Sequence, residues 1–417
     1  MKALSAPQQY VVDDTPFLWL AREVVARGPN GRLIDLARHD ERLAAYLDAM
    51  RVHRTDIKSA VENEARPGEP AADFLTASFA LMVGDSTFFN ALSEAEASGK
   101  RAKGIVAALG WAERDVAMKA IKQLSDAPEP LGRAIAIAAL GARRSDPGAS
   151  LATAVADAAP LVRARAYRTA GQLGRTDLMP HIAPGFRDED PECNFWSAWA
   201  AARMGAAEPL DTLAEIAWQG GPRAERALDM LLRRLEVQRA NAWLRDLAGL
   251  PERRRSLIRA TGVIGDPIYI PWLTQRMDEP VAARLAGEAF SMITGVDLAY
   301  RDLDRRPPAD FQSGPNDNPE DENVALDEDD RLPWPDLAKV GDWWARNKAR
   351  FSVGTAYFLG QPKASADWLE ALSDAFQRQR RAAALELAIR QPNKAMFEVR
   401  ARGRLQRQLI ARARGQL

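Results

Sequence analysis

The sequence has few of the residues that build disulfides and metal centres. Its 417 residues include one cysteine, Cys193, and three scattered histidines, His39, His53 and His181. A single cysteine excludes an intramolecular disulfide and a thiolate metal cluster. The histidines do not converge with carboxylates at a metal-ligand spacing. We therefore expect a buried Cys193, surface histidines, no metal and no other cofactor.

A net charge and long apolar runs are also lacking. The 57 Lys and Arg residues balance the 57 Asp and Glu residues, so no overall field attracts nucleic acid or an anionic membrane. The most apolar stretch, 134–142, is far shorter than the roughly 20 residues of a membrane span. The first ten residues lack the apolar segment of an export signal. These absences predict a cytoplasmic protein without membrane insertion and argue against nucleic acid as a partner.

The motifs of common enzyme classes are missing as well. The sequence contains no P-loop, no dinucleotide-binding glycine fingerprint, no Gly-x-Ser-x-Gly elbow and no kinase signature. We therefore predict that the chain is not an enzyme and has no catalytic, cofactor-binding or metal-binding residues.

One sequence pattern that is typical of a helix end recurs along the chain. A helix rich in small residues closes on one residue plus glycine at Leu109-Gly110, Leu140-Gly141, Leu173-Gly174, Met204-Gly205, Ile264-Gly265 and Thr294-Gly295. Successive glycines from 141 to 265 lie 33, 31 and 60 residues apart, and 60 is two steps of 30. Glycine suits the left-handed residue that closes a helix, so each phrase predicts a helix end.

The helix 161–174 shows the pattern most clearly, since Val162, Ala166, Ala170 and Leu173 share one face. Its order, Val-Arg, then Ala, then a small residue with Leu-Gly, resembles the first helix of a HEAT-like repeat. The resemblance implies an all-α fold, a HEAT-like α-solenoid in which about six helix pairs form a right-handed superhelix. The alternative is an irregular helical bundle. A solenoid would bind other proteins through its concave surface.

Composition divides the chain into four predicted regions. These are an N-terminal helical capping region (1–100), HEAT-like repeats (101–300), an acidic flexible loop (301–333) and a C-terminal module rich in tryptophan and basic helices (334–417). The acidic loop either binds a basic partner, or is a solvated loop, or docks on the chain's own arginines.

The C-terminal tail is strongly basic. Residues 375–417 hold eleven Lys or Arg against two Glu. Leu405, Leu409 and Ala413 recur at helical spacing, which predicts an amphipathic basic helix that could meet phosphate, lipid headgroups or the acidic loop. Its candidate contact residues are Arg400, Arg404 and Arg407, with self-pairing or a solvated face as the alternative.

Three neighbouring aromatic residues form a second candidate binding site. Phe195, Trp196 and Trp199 lie on a helix whose inward face should hold Cys193 and Ser197. At 100° per residue, Phe195 and Trp199 point largely away from that face. An exposed aromatic patch would be a protein-binding site. Burial against neighbouring helices is the alternative.

A narrower resemblance involves four segments: 284–295 (RLAGEAFSMITG), Trp334-Pro335-Asp336, Trp343-Trp344 and 377–386 (QRQRRAAALE). Together they resemble a bacterial family of HEAT-repeat proteins whose genes often lie beside type VI secretion genes. The resemblance implies an accessory, adaptor or effector-neutralising role and supplies no catalytic residues. Within the first segment, Arg284 and Glu288 lie four residues apart on one helix and are predicted to form a structural salt bridge.

The leading prediction is therefore a non-catalytic protein-binding scaffold or adaptor. Two alternatives stay open: a nucleic-acid-binding or DNA repair protein like the HEAT-like glycosylases, and a lyase-type HEAT-repeat enzyme. A nucleic-acid binder should carry a continuous basic groove, and an enzyme should have a deep pocket with perturbed acids. The sequence identifies neither the protein partner nor the oligomeric state.

Overall fold

The regular secondary structure of the described residues is almost entirely α-helical. A computed structural model describes residues 4–91, 101–309, 311 and 327–415, so residues 312–326 of the predicted acidic loop lie outside the described residues. Within the described residues the α-helices are α1 (Ala6–Arg27), α2 (Leu33–His53), α3 (Lys58–Asn63), α4 (Pro70–Val83), α5 (Ser86–Ala91), α6 (Arg101–Trp111), α7 (Arg114–Ser125), α8 (Pro130–Arg143), α9 (Ala149–Ala154), α10 (Pro160–Leu173), α11 (Met179–Ile182), α12 (Pro191–Arg203), α13 (Pro209–Gln219), α14 (Ala224–Arg234), α15 (Val237–Leu247), α16 (Arg254–Ile264), α17 (Ile270–Arg276), α18 (Pro280–Thr294), α19 (Leu337–Asn347), α20 (Trp368–Asp374), α21 (Gln377–Arg390) and α22 (Gly403–Ala413).

Strands are few and short in the described part of the chain. β1 (Asp304–Arg305) pairs antiparallel with β2 (Trp334–Pro335), and β3 (Tyr357–Phe358) pairs antiparallel with β4 (Gln361–Pro362). The all-α solenoid class predicted from the repeats is confirmed.

Proline and glycine set the ends of the repeat helices. α8, α10, α12 and α18 each begin with a proline in the first turn, where a missing amide costs no hydrogen bond. α10, α16 and α18 end at Gly174, Gly265 and Gly295, each with a positive φ. Those three predicted ends are confirmed.

Two of the predicted helix-ending glycines lie inside helices instead. Gly110 is within α6, and Gly141 is within α8, which ends at Arg143. A Cβ on Gly141 would lie 2.8 Å from the hydroxyl of Thr169 on α10. At Gly141 the glycine therefore permits close packing of two helices rather than a left-handed turn.

The chain divides into two compact units. The first comprises Met1–Arg27, Gly31–Thr212 and Leu387–Leu417, and the second comprises Gly28–Asn30 and Leu213–Glu386. These limits differ from the predicted regions, since the predicted module 334–417 is divided between the units within α21. The physical reason is that the C-terminal residues from about 392 onward pack on α2, α8, α10 and α12 of the first unit.

Each unit has its own apolar core. In the first, side chains from α1, α2, α4, α6, α7 and α8 form one buried cluster that includes Trp19, Phe74 and Ile135. In the second, α16 to α19 surround Phe290, whose ring meets Trp343 edge-on at 5.7 Å between centroids. None of the described helices is long and apolar enough to cross a membrane.

A short extended segment crosses two helix ends in the second unit. The Tyr357 amide donates to the Gly265 carbonyl (2.8 Å), and the Leu359 amide donates to the Met292 carbonyl (2.8 Å). A Cβ on Gly265 would overlap the Tyr357 carbonyl oxygen, and one on Gly295 would overlap the Leu359 oxygen. These glycines are thus required both by φ and by the close approach of the crossing backbone.

Candidate functional site

The aromatic cluster predicted as an exposed patch is buried. Phe195 is 0% exposed, Trp196 6% and Trp199 8%. Trp196 packs edge-on against both neighbours, and the Arg168 guanidinium lies 4.6 Å from its ring centroid. The exposure prediction was wrong because α12 packs against α10 on one side and against α11 and the turn after it on another. A helix inside a stack buries more than one face, so the cluster belongs to the core.

The predicted salt bridge between Arg284 and Glu288 does not form, because each residue has another partner. Arg284 lies 2.5 Å from the Asp327 carboxylate, and Glu288 lies 2.7 Å from the Arg378 guanidinium. Arg284 also stacks over the Trp334 ring at 4.9 Å. Spacing along one helix could not predict this, since both partners come from distant parts of the chain.

The end of the acidic region docks on arginines of the second unit. Asp329 pairs with Arg255 (2.8 Å), and Glu328 pairs with Arg259 (2.5 Å). The hydrogen bond from Arg259 holds the pKa of Glu328 below its usual value. Residues 327–329 therefore dock on the chain's own arginines, which is one of the interpretations that the sequence left open for the acidic loop.

Glu288, on α18, is a largely buried acid of the second unit. Burial raises the pKa of Glu288, although the Arg378 guanidinium opposes the rise. Its carboxylate is held in an ion pair inside the fold. An open concavity of the second unit is lined by other residues, including Asp278 and Trp344. The ion pair gives Glu288 a structural role.

The C-terminal segment of the first unit runs across the ends of three repeat helices. We call residues 391–402 the C-terminal strap. Arg203, at the end of α12, donates to the Pro392 carbonyl (2.6 Å). Arg144, just after α8, donates to the Met396 carbonyl (2.6 Å), and the Met396 amide donates to the Gln172 carbonyl of α10 (2.7 Å). Buried guanidinium groups thus replace water as the partners of the strap carbonyls.

An ion pair secures the middle of the strap. Glu398 lies 3.0 Å from Arg144 and 3.4 Å from Arg400. Burial would raise the pKa of Glu398, but the two guanidinium groups lower it to about 2. Arg400, one of the three candidate contact residues of the tail, is therefore bound within the fold, because it pairs with Glu398 and its carbonyl accepts a hydrogen bond from Arg22 (2.6 Å).

The strap leads directly into α22, and the first residue of α22 is held against α2. Asp40 accepts hydrogen bonds from Arg22 (2.9 Å) and from the Gly403 amide (2.6 Å). A Cβ on Gly403 would lie 2.7 Å from the Cβ of Ala37, so glycine allows α22 to touch α2. The guanidinium of Arg402 stacks on the Trp111 ring at 4.3 Å.

α22 turns its most basic side to solvent. Its buried residues are Gly403, Gln406 and Ile410. The residues facing outward include Arg404, Leu405, Arg407, Leu409 and Arg412, which we call the α22 basic face. Leu405 is 46% exposed and Leu409 is 40% exposed.

The arginines of the α22 basic face have no salt-bridge partner among the described residues, unlike Arg400 of the strap. No acidic residue follows Glu398 in the sequence. Two of the three candidate contacts, Arg404 and Arg407, therefore lie on an exposed surface that could meet a negatively charged partner. The predicted amphipathic helix is present, but its leucines lie outward beside the arginines rather than inward.

Comparison with protein families agrees with this architecture. Residues 149–231, from α9 to near the end of α14, match a family model of HEAT repeats. The helices in this part of the chain are therefore similar to HEAT repeats. The match covers about a fifth of the sequence and includes the predicted helix 161–174 and the buried aromatic cluster. No match was found among curated proteins or among solved structures.

Proposed function

We propose that this chain is a non-catalytic scaffold that binds an acidic protein partner through the α22 basic face. The observation that carries the proposal is the contrast within the tail. The arginines of the strap contact other residues of the fold. Arg404, Arg407 and Arg412 on α22 are exposed, and so are Leu405 and Leu409 of the same helix. HEAT repeats, the fold that presents this face, commonly serve as protein-interaction scaffolds.

A protein partner fits the mixed chemistry of the face. Leu405 and Leu409 lie one helical turn apart and can pack against an apolar stripe, while Arg412 on the same side of the helix and Arg404 next to it pair with carboxylates. An acidic amphipathic helix or an acidic loop flanked by apolar residues would satisfy both features. Arginine is also enriched among the residues that contribute most to interface energy.

A nucleic-acid partner is the second candidate, because the α22 basic face holds positive charge without nearby carboxylates from its own tail. Phosphate contacts would give binding that falls steeply with salt. The two exposed leucines would contribute little to a phosphate backbone, which is why the protein partner is preferred. An accessory role in type VI secretion and a cytoplasmic location rest on the resemblance and on the sequence alone, and both stay predictions.

Charge reversal on α22 tests the proposal. The variant Arg404→Glu, Arg407→Glu, Arg412→Glu should lose its partner, because three attractive contacts become repulsive. The matched control Arg114→Glu, Lys119→Glu, Lys122→Glu makes the same charge change on the exposed side of α7 and should retain the partner. The measurement is quantitative capture by the tagged full chain from its native cells after nuclease treatment.

The expected result is one acidic protein, recovered in stoichiometric amount by the wild type and the α7 variant and reduced at least about tenfold for the α22 variant. Equal recovery by the α22 variant would refute the assigned surface. Loss of all captured material on nuclease treatment would instead establish the nucleic-acid alternative.

A further inference from the structure

The first helix, α1, has one buried face and one exposed face, and the residues of each face recur at helical spacing. One face packs on α2 and α4 through its buried residues Val11, Val12, Thr15, Leu18, Trp19, Arg22 and Ala26. The other face consists of the exposed residues Tyr10, Asp13, Phe17, Leu20, Val24 and Arg27, which we call the α1 seam. Successive seam residues are three and four positions apart, the spacing with which one helix packs along another.

The apolar residues of the α1 seam are unusually exposed. Phe17 is 65% exposed, Tyr10 60%, Val24 48% and Leu20 47%. The seam extends over about 25 Å at 1.5 Å per residue, so it forms one continuous stripe rather than scattered contacts. A long exposed apolar stripe on a folded protein marks an interaction surface.

The charges within the stripe determine which partner fits. The seam carries an acid, Asp13, in its first half and a base, Arg27, at its end. A second α1 lying antiparallel would bring the base of each helix toward the acid of the other. A parallel copy would instead place acid beside acid and base beside base.

From this complementarity we infer that the α1 seam docks on the α1 seam of a second copy of this chain, with the two helices antiparallel. When two copies of this helix pack antiparallel, the residue numbers of each facing pair add up to the same value. Phe17 of each copy then lies against Leu20 of the other, and Asp13 lies against Val24. The interface is self-complementary and closes as a two-fold dimer.

The ends of the seam also match in this register. Arg27 of one copy lies opposite Tyr10 of the other, where a guanidinium can stack on the ring. Side chains of a helix lean toward its N-terminus, so Arg27 leans toward the level of its own Val24 and thus toward Asp13 of the second copy. Each end therefore gains an aromatic contact and an opposite charge.

Contacts within the helix hold these charges without covering the stripe. Asp13 accepts a hydrogen bond from the Gln9 amide group (2.8 Å), and Arg27 pairs with Glu23 (2.7 Å) while its side chain stays 44% exposed. Both bonds join residues four positions apart on α1. The inference goes beyond the proposed function and does not rest on it, because α22 takes no part in the seam.

Sedimentation velocity of the full chain over a wide concentration series tests the inference. The wild type should pass from the 45.9 kDa monomer to twice that mass as concentration rises. Phe17→Glu should remain monomeric throughout, since it places two like charges at the centre of the seam. The control Val116→Glu adds the same charge at an exposed apolar residue of α7 and should dimerise like the wild type.

Thermal melting by circular dichroism checks that each variant is folded. A wild type that stays monomeric at every concentration would overturn the inference, and so would a dimer that Phe17→Glu leaves unaffected. A chain whose α1 seam binds only a different protein would be monomeric when pure. A monomeric wild type therefore also contradicts a second copy as the occupant of the seam.

Disulfide trapping tests the antiparallel orientation separately. The full-chain variants Asp13→Cys and Val24→Cys, one of them tagged, are mixed and oxidised, and the native Cys193 does not interfere because it is buried. The antiparallel register predicts a disulfide between the two variants and none within either variant alone. Crosslinking of each variant with itself, and not with the other, would show a parallel dimer and overturn the orientation.

Discussion

At the scale of single residues, a few buried charges hold the C-terminal strap in place. Glu398 is the central one, because it faces Arg144 and Arg400 at once. Its pKa is lowered from the ordinary 4.5 to about 2. A carboxyl whose pKa is lower in the folded state stabilises the fold above its unfolded pKa, and that stabilisation is lost as the pH falls from about 4.5 toward 2.

Glu398→Gln should therefore lower the free energy of unfolding by about 3 kcal/mol at pH 7, because it leaves the buried Arg144 without its counter-charge. The difference between variant and wild type should shrink as the pH falls through that window. Urea denaturation at pH 7 and at pH 3 measures both effects. Glu41→Gln, an exposed change on α2, is the control and should stay within about 0.5 kcal/mol of the wild type. An unchanged stability of Glu398→Gln at pH 7 would contradict the role of the ion pair.

Residue-level predictions from the sequence succeeded where a pattern was local and failed where partners were distant. Cys193 is buried, as expected for a lone cysteine on an inward face. The exposed setting of Trp199 was predicted from one helix alone, and the packing of α12 on its other sides corrected it. Arg284 and Glu288 have suitable spacing for each other, yet Asp327 and Arg378 bind them instead.

At the scale of elements, two of the repeated glycines have a second structural role, which the sequence does not predict. Gly265 and Gly295 end their helices with positive φ, which the sequence predicts. They also admit the segment 357–360, whose amides bond to the carbonyls of these helices and the turns that end them. A crossing segment has no motif of its own, because its contacts are made by backbone atoms. The sequence therefore predicts the helix ends and not what lies across them.

Gly265→Ala should displace this crossing segment, since a methyl group there would overlap the Tyr357 carbonyl oxygen. We expect the Tyr357 and Leu359 amides to lose at least about tenfold of their protection from hydrogen exchange. Gly84→Ala is a matched control, because Gly84 also ends a helix with positive φ but has open space around it. That control should cost about 1 kcal/mol of local strain and leave the two amides protected. Equal exchange in the two variants would refute the close-approach argument.

At the scale of the whole molecule, the sequence identifies the class of fold and half of the candidate site. The 30-residue period predicts HEAT-like helix pairs, and the family match over 149–231 confirms them. The basic tail is also evident from composition, since α22 has no acidic residue. Composition does not show which of its arginines are exposed, because Arg400 is paired with Glu398 inside the strap whereas Arg404 and Arg407 on α22 are exposed. The same limit explains why the α1 seam is recognisable only once its opposite face is seen to be buried.

Site-specific photo-crosslinking shows whether an acidic protein contacts the α22 basic face. A benzophenone amino acid placed at Gln408, between Arg404 and Arg412, should crosslink one acidic protein in the native cells. The same probe at Lys119 on the exposed side of α7 should not. We expect a crosslink from Gln408 to that protein and none from Lys119. A crosslink of equal yield from both positions, or none from Gln408 while the tagged chain still captures the protein, would contradict this expectation.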